Sequence, residues 1–281
     1  MKRTIKITGG ISGVIATGSF QNLKPTFMWE ETIEDCEMTD AEITERIKEL
    51  YGKGFNMLKE AEQKAIVERI QRERQDLRLL ISEKGNILPS ATSIINYDAD
   101  FFVSPEELSQ YASQGNIIHA KVKYFINTKE WVMAKAIQEV WTDIVILTKG
   151  NLKLEVNVGD FPSFLKKYPV SDMENCERFM FDEEGYCGMP DFTGIPDFKE
   201  ALKIPTMFDV KRTVDKIKAG MQLAAYAKYY KIKQAIALPI NDKTEQGYSK
   251  PVIFNEKDLD GYYGMFKQKQ LDFKKRYSIG I

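Results

Sequence analysis

The chain of 281 residues holds one histidine, three cysteines and three tryptophans. Each scarcity limits what the protein can be. Cys36, Cys176 and Cys187 are odd in number and widely spaced, which argues against a disulfide framework and fits a reducing cytoplasm. No apolar run approaches the roughly 20 residues that cross a bilayer. Met1-Lys-Arg-Thr-Ile-Lys6 is not followed by the apolar stretch of a secretory signal. A cytoplasmic chain with no membrane association is therefore expected. Internal repeats and low-complexity segments are also missing.

What remains is ordinary globular material, 43% hydrophobic and 29% charged. The length allows one large domain, or one domain with an appendage. The net charge of −1 is unevenly spread. Residues 201–281 carry 16 Lys+Arg against 8 Asp+Glu, and the rest carries 24 against 33. The basic part is either a surface that tracks phosphates or a set of solvated helix faces at Lys228, Lys231, Lys233 and Lys274-Lys-Arg276.

Residues 1–33 alternate in short runs and are expected as strands: 2–8, a break at Gly9-Gly10, 11–17, and 26–33 after Gly18 and Pro25. Phe20, Phe27 and Trp29, with Lys6 and Lys24, form either a stacking platform for single-stranded nucleic acid or the core of a small antiparallel sheet. Thr39-Asp-Ala-Glu42 is a capping box. It precedes a helix carrying Ile43, Ile47, Leu50 and Tyr51 that should end at Gly52 and Gly54, and a second helix over 55–81. Arg69, Arg72, Arg74 and Arg78 alternate with acids there, as on an ion-paired solvated face. Ser82-Glu-Lys-Gly-Asn86 is expected as a hinge. It divides a β-strand and helical accessory region, 1–85, from a main domain, 86–281.

In the main domain, Ser104-Pro-Glu-Glu107 is a second capping box with proline at the first helical position. That helix should stop near Gly115, and a new one should carry Ile117, Ile118, His119, Val122, Phe125 and Ile126. Residues 129–168 are expected to be mainly helical, with Trp131, Ala134, Ile137 and Trp141 at helical spacing and both tryptophans in the core. A turn at Lys149-Gly-Asn151 and a short helix near Asp160-Phe-Pro162 follow. Asp182-Glu-Glu-Gly185 should turn a hairpin whose return strand runs from Tyr186 to Phe192. A strand over 203–212, a helix over 214–230, strands over 233–240 and 250–254, and a final helix from Asn255 to Tyr277 complete the reading. The basic end of that last helix suits its dipole.

Two stretches carry chemistry. Asp191 follows Pro190 at the end of an apolar run, and Asp209 and Lys211 flank Val210 on another. Residues two apart on a strand share a face, so Asp209 and Lys211 project together. Gln222 and Tyr226 are four apart on a helical pattern and share a face. Two carboxylates and an ammonium at strand ends are costly unless compensated. A divalent cation compensates: Mg²⁺ is held by one or two carboxylates, waters and substrate phosphates. A neighbouring lysine can hold or help deprotonate an attacking water. The combination suits metal-assisted phosphodiester hydrolysis.

The ordered set Gly115-x-x-x-His119, Gly188-x-Pro190-Asp191, Asp209-x-Lys211 and Gln222-x-x-x-Tyr226 resembles the PD-(D/E)xK nuclease superfamily. Within it, the set is similar to the RecB-like branch, which includes phage recombination exonucleases. The resemblance covers residues 87–240. It implies an α/β (α+β) fold with a restriction-endonuclease-like core, a mixed central sheet flanked by helices, here with an N-terminal β-hairpin and helical appendage. It implies that His119, Asp191, Asp209 and the backbone carbonyl of Val210 bind one or two Mg²⁺ or Mn²⁺ ions. Without the resemblance, a lone helical histidine is a satisfied polar residue; as a ligand its imidazole suits Mn²⁺ better than Mg²⁺.

On the same reading Asp191, Asp209, Lys211 and Gln222 are the catalytic groups. Glu177, Tyr226, Arg212, Ser90 and Thr92 are supporting candidates. The hydroxyls of Ser90 and Thr92 either donate to a phosphate or cap the following helix. Glu177 is either an additional acidic group or a solvated strand residue. A second pair, Pro196-Asp197, lies in an expected loop where Asp is common for turn reasons, so Asp191 is preferred. Relatives often place Ser or Thr after the lysine; Arg212 stands there instead and can clamp a phosphate. Some relatives hold an iron–sulfur cluster on four cysteines; three scattered cysteines do not supply one, so none is expected. The implied activity is a metal-dependent DNA exonuclease acting on linear duplex ends or single strands. Its setting would be recombination or repair in a bacterial cell or phage-infected host, with a single-strand annealing or binding protein as partner. A structure-specific endonuclease and a non-catalytic DNA-binding subunit are the alternatives. Oligomeric state and the role of residues 1–85 stay open.

Overall fold

The computed structural model describes residues 3–13, 15–18, 21–23, 25–36, 38–74, 76–99, 104–132, 135, 138, 140–142, 145, 159–176, 180–241 and 244–279. The chain forms two compact units, Met1–Pro89 and Ser90–Ile279.

In the first unit, β1 (Arg3–Ser12) pairs antiparallel with β4 (Thr26–Cys36), and β2 (Ile15–Gly18) pairs with β3 (Gln21–Leu23). Gly9-Gly10 does not break β1. Gly9 lies opposite Trp29 in the register, and a Cβ on Gly9 would come within 2.8 Å of the indole. The glycine lets the ring lie flat over the strand. The same indole explains a second departure. Residues 40–73 form one helix, α1 (Asp40–Glu73), not two, opened by the expected Thr39–Glu42 capping box. Gly54 sits inside it because a Cβ there would meet the Trp29 ring at 2.6 Å. Trp29 also meets Tyr51 edge to face with centroids 5.1 Å apart. Trp29 thus belongs to the packed interior of this unit; Phe20 and Lys24 lie outside the described residues. Lys6 pairs with Glu30 at 3.0 Å, and Arg46 bridges Glu31 and Glu49.

The expected hinge at 82–86 is a hairpin turn. It joins β5 (Leu79–Ile81) to β6 (Ile87–Pro89), with Gly85 at φ +72° and its N–H donating to the Ser82 carbonyl at 2.8 Å. The two compact units divide after Pro89, and the expected boundary after residue 85 falls inside this turn.

The second unit is α/β, built on a mixed five-stranded sheet in the order Val252–Phe254, Ala235–Pro239, Thr206–Lys211, Phe192–Pro196, Val170–Asn175. β10 (Phe192–Pro196) pairs antiparallel with both β7 (Val170–Asn175) and β11 (Thr206–Lys211). The helix α5 (Lys216–Tyr230) then returns the chain to β12 (Ala235–Pro239), parallel to β11, and β13 (Val252–Phe254) closes the edge. α2 (Ala91–Asn96), α3 (Pro105–Thr128), α4 (Phe161–Lys167) and α6 (Glu256–Tyr277) complete the unit. One face of the sheet presents Phe192, Phe208, Val210, Ile236 and Leu238 to Ile117, Ile118, Val122 and Ile126 of α3 and to Phe161 and Phe164 of α4. Phe192 and Phe208 are cross-strand partners stacked with centroids 4.7 Å apart.

Three further expectations are corrected. α3 is continuous through Gly115, where a Cβ would meet nothing within 4 Å among the described residues. Trp141 is 49% exposed, whereas Trp131 packs beside the core against Phe125 and Phe161. The expected return strand of 186–192 is interrupted. Tyr186–Cys187 (β9) pairs with Met180–Phe181 (β8) around the 182–185 turn, and residues 188–191 form an extended break before β10. Ala134, Ile137, Glu177 and the Lys149–Asn151 turn lie outside the described residues. Among the described residues, no helix is long and apolar enough to cross a membrane.

The two interior glycines of α1 give a matched test. Alanine is favoured over glycine in a helix by about 1 kcal/mol. Gly52→Ala, where a Cβ meets nothing within 4 Å, is expected to stabilise the protein in urea unfolding. Gly54→Ala is expected to destabilise it, because the methyl drives into Trp29.

Candidate active site

The expected site residues converge where β11 ends and β10 begins. Because β10 and β11 are antiparallel, the start of one lies beside the end of the other. The Phe192–Phe208 register pair brings the preceding Asp191 alongside the following Asp209. Period-two alternation turns Phe208 and Val210 into the core while Asp209 and Lys211 share the opposite face.

Asp209 is the deepest of the four charged groups, its side chain 3% exposed. Lys211 Nζ lies 2.7 Å from Asp209 Oδ2, yet that oxygen has no aligned hydrogen-bond donor. The contact is thus a close ion pair rather than an aligned hydrogen bond. Asp191 accepts from the backbone N–H of Val210 through Oδ2 and contacts His119 Nδ1 through Oδ1 at 2.7 Å. His119 reaches the cluster from α3 and is the most exposed of the set. The site therefore grades from a buried carboxylate to an accessible imidazole.

The four groups set one another's charge. Burial would lower the His119 pKa, but the Asp191 carboxylate outweighs it and raises the value. Burial pushes Asp191 up, and the His119 charge and hydrogen bond, with Lys211 and the Val210 N–H, hold it below the ordinary carboxylate range. For Asp209 burial wins over Lys211, and its pKa is raised. Burial opposes the Lys211 charge, but Asp209 and Asp191 raise its pKa, so the lysine is an ammonium in this arrangement.

Of the helix pair, Gln222 Nε2 donates to the Tyr226 hydroxyl at 3.1 Å. Tyr226 is buried, and its phenol is pushed up by burial and by both aspartates. A Cβ on Gly188 would collide with the Tyr226 ring; the glycine three residues before Asp191 is there to admit that ring. Ser90 caps α2, accepting from the Ser93 N–H at 3.0 Å. Of the two roles weighed for it, this is the capping one. Thr92 is exposed on α2. Asp197 is on the surface, paired with Lys203 at 3.1 Å, and takes no part in the cluster. Sequence reasoning missed Gln114, whose Oε1 accepts from Arg212 Nη1. No local pattern links the two, because they lie 98 residues apart.

Two carboxylates, an imidazole and a backbone carbonyl form a donor set suited to Mg²⁺ or Mn²⁺, and the Asp209 oxygen without a donor fits a cation. Among the described residues no group of three or more His, Cys, Asp and Glu side chains is arranged to hold a metal. Here Lys211 and His119 neutralise the two carboxylates, so an ion would have to displace these pairings. No family model matches the chain, and no curated protein matches it.

His119 is the sole histidine, so its ring gives a single titrating NMR signal. In metal-free protein the midpoint is expected above the ordinary value of about 6.5, and lower in Asp191→Asn than in wild type. Because the folded value is raised, the pair's stabilisation is complete below the unfolded pKa and is lost as pH rises through the folded one. An unchanged midpoint in Asp191→Asn would remove the pairing from the account.

Proposed function

We propose that this chain is a divalent-metal-dependent deoxyribonuclease with a PD-(D/E)xK core of the RecB-like kind. One observation carries the reading: His119, Asp191, Asp209 and Lys211, from one helix and two strands, meet at one end of a mixed sheet, and the buried Asp209 Oδ2 lacks an aligned donor. The β10–β11–α5 run, with Gln222 and Tyr226 on its helix, supports this reading. The basic balance of residues 201–281 suits a polyanionic substrate.

The cation held by His119, Asp191, Asp209 and the Val210 carbonyl would supply Lewis-acid charge at the scissile phosphate and an acidified water. The chain's own groups do the positioning. The Lys211 ammonium donates to the attacking water or to a phosphate oxygen and keeps it in line with the leaving group. Asp191, fixed by the Val210 N–H, orients the imidazole of His119. Gln222 and Tyr226 wall the buried side and keep bulk water from the carboxylates. Hydrolysis from an end of linear DNA is the preferred form of the activity. An endonuclease on the same core is the second form, and a non-catalytic DNA-binding subunit is a third outcome of the test.

The test is cleavage of end-labelled linear duplex beside closed circular DNA, with Mg²⁺, Mn²⁺ or EDTA. Loss of the linear substrate alone, only with metal, is expected. Nicking of the circle would indicate an endonuclease, and no cleavage with DNA still bound would indicate the non-catalytic subunit. Asp209→Ala and Lys211→Ala are each expected to lower the rate by about 100-fold or more with folding and DNA binding retained. Variants that cut like wild type would exclude this site.

A further inference from the structure

Upstream of His119, α3 carries one aromatic ring that the fold does not use. A single exposed aromatic is ordinary on a protein surface; Tyr111 is set apart by what the other tyrosines do. The chain has 13 of them. Tyr124 donates to Glu130 at 3.3 Å, and every other one except Tyr111 meets a second aromatic ring. Tyr111 has neither kind of contact among the described residues and is 54% exposed.

Its position gives the exposure a direction. Tyr111, Gly115 and His119 are successive positions of one i, i+4 row of α3. The row has an accessible phenol ring at one end and the imidazole of the site at the other. Between them, a Cβ on Gly115 would meet nothing within 4 Å among the described residues. The axial distance from Tyr111 to His119 is about 12 Å, or roughly three to four nucleotides at the spacing of stacked bases along one strand. Residues 108–118 include no charged side chain, so this stretch of helix offers phosphates no counter-charge. It offers an aromatic face and neutral polar groups, which suit bases.

A base of any identity has a π-face on which a phenol ring stacks. A tyrosine ring has few rotatable bonds, so little freedom is lost when a base settles on it. Within a duplex both faces of a base are already covered by its neighbours, so such a platform takes an unpaired nucleotide. A row of lysines here would attract single and double strands alike; an uncharged ring separates them.

We propose that Tyr111 is a stacking platform for an unpaired base of the substrate, roughly three to four nucleotides from the bond that is cut, with the strand passing over Gly115. The inference rests on the nuclease reading and names the form of its substrate: a single strand, or a duplex end opened over that length. Tyr111 touches the substrate and takes no part in the chemistry.

The experiment compares wild type, Tyr111→Ala, Tyr111→Phe and Gly115→Leu, each first checked for an unfolding midpoint no lower than that of wild type. Equilibrium binding of a fluorescent single-stranded oligodeoxynucleotide, and its competition by closed circular duplex, are measured with EDTA over a salt series. Cleavage of the same oligonucleotide is measured with Mg²⁺ or Mn²⁺. Tyr111→Ala is expected to weaken single-strand Kd and KM by about 5- to 100-fold, the range for one stacked base, with little change in kcat. The slope of log affinity against log salt should stay as in wild type, because no phosphate contact is lost. Tyr111→Phe should bind like wild type, and the circular duplex should compete equally well against wild type and Tyr111→Ala on an absolute scale. Gly115→Leu should weaken single-strand binding by filling the path. One abasic site moved along the oligonucleotide should cost wild type affinity at a single position and cost Tyr111→Ala none there. Wild-type single-strand affinity in Tyr111→Ala would overturn the platform. So would an equal loss in Tyr111→Phe, which would assign the effect to the hydroxyl, or an equal loss for the circular duplex. Unchanged binding in Gly115→Leu would overturn the path over Gly115. A wild type that binds the oligonucleotide and cuts nothing would defeat the nuclease reading alone, because the EDTA arm still decides the platform.

Discussion

The arrangement depends on the burial of one carboxylate. Asp209 sits on the central strand of the sheet with its side chain 3% exposed. Placing an ionised carboxylate there costs several kcal/mol unless partners compensate. Lys211, on the same face two residues on, answers that cost most directly. Asp191 adds a like charge, which the Val210 N–H and His119 take up. His119 comes from α3 to take up the charge of Asp191. The core serves the same end from the other side of the sheet. Phe192 and Phe208 are stacked register partners, and a slip of one residue would turn Asp209 into the core and Phe208 out of it. Aromatic packing on one face therefore holds the carboxylates together on the other.

The two aspartates are pushed in opposite directions by their surroundings, Asp191 down and Asp209 up. Neighbouring acids held apart in this way are a mark of functional sites, although structural ion pairs produce it too. Here the difference follows depth. Asp191 has a backbone donor and an imidazole, so its charge is stabilised by two hydrogen-bond partners. Asp209 has an ion pair without an aligned donor, so its charge depends on whichever cation is beside it. A side chain of that kind changes partners at less cost than one enclosed by hydrogen bonds. That property is useful in a carboxylate expected to exchange an ammonium for a metal.

Much of this site was legible in the sequence, and the reason is periodicity. Asp209 and Lys211 share a face once 203–212 is read as a strand, and Gln222 and Tyr226 once 214–230 is read as a helix. The capping boxes at Thr39, Ser104 and Asn255 marked helix starts for reasons local to a few residues. The misreadings concentrate at glycines. Gly9-Gly10, Gly52, Gly54 and Gly115 were all taken as interruptions, and each lies inside a continuous strand or helix. Local propensity counts against glycine there, but tertiary packing overrides it. Trp29 needs the space left at Gly9 and Gly54, and a distant aromatic leaves no trace in a short window. The Gln114–Arg212 contact was illegible for the same reason. It joins an ordinary amide on α3 to a strand end 98 residues later, and nothing nearby in either stretch announces the other.

Gly115 differs from the other glycines, and the difference bears on function. Gly9 and Gly54 are accounted for by an indole, and Gly188 by Tyr226. At Gly115 nothing among the described residues lies within 4 Å of where a Cβ would stand. Glycine within a helix is unfavourable by about 1 kcal/mol relative to alanine, so folding alone would favour a different residue. Among the described residues the packing that justifies the other glycines is missing here, while His119 shares the same helix face one turn on. On the nuclease reading proposed above, this opening lets a substrate strand approach the helix backbone beside His119.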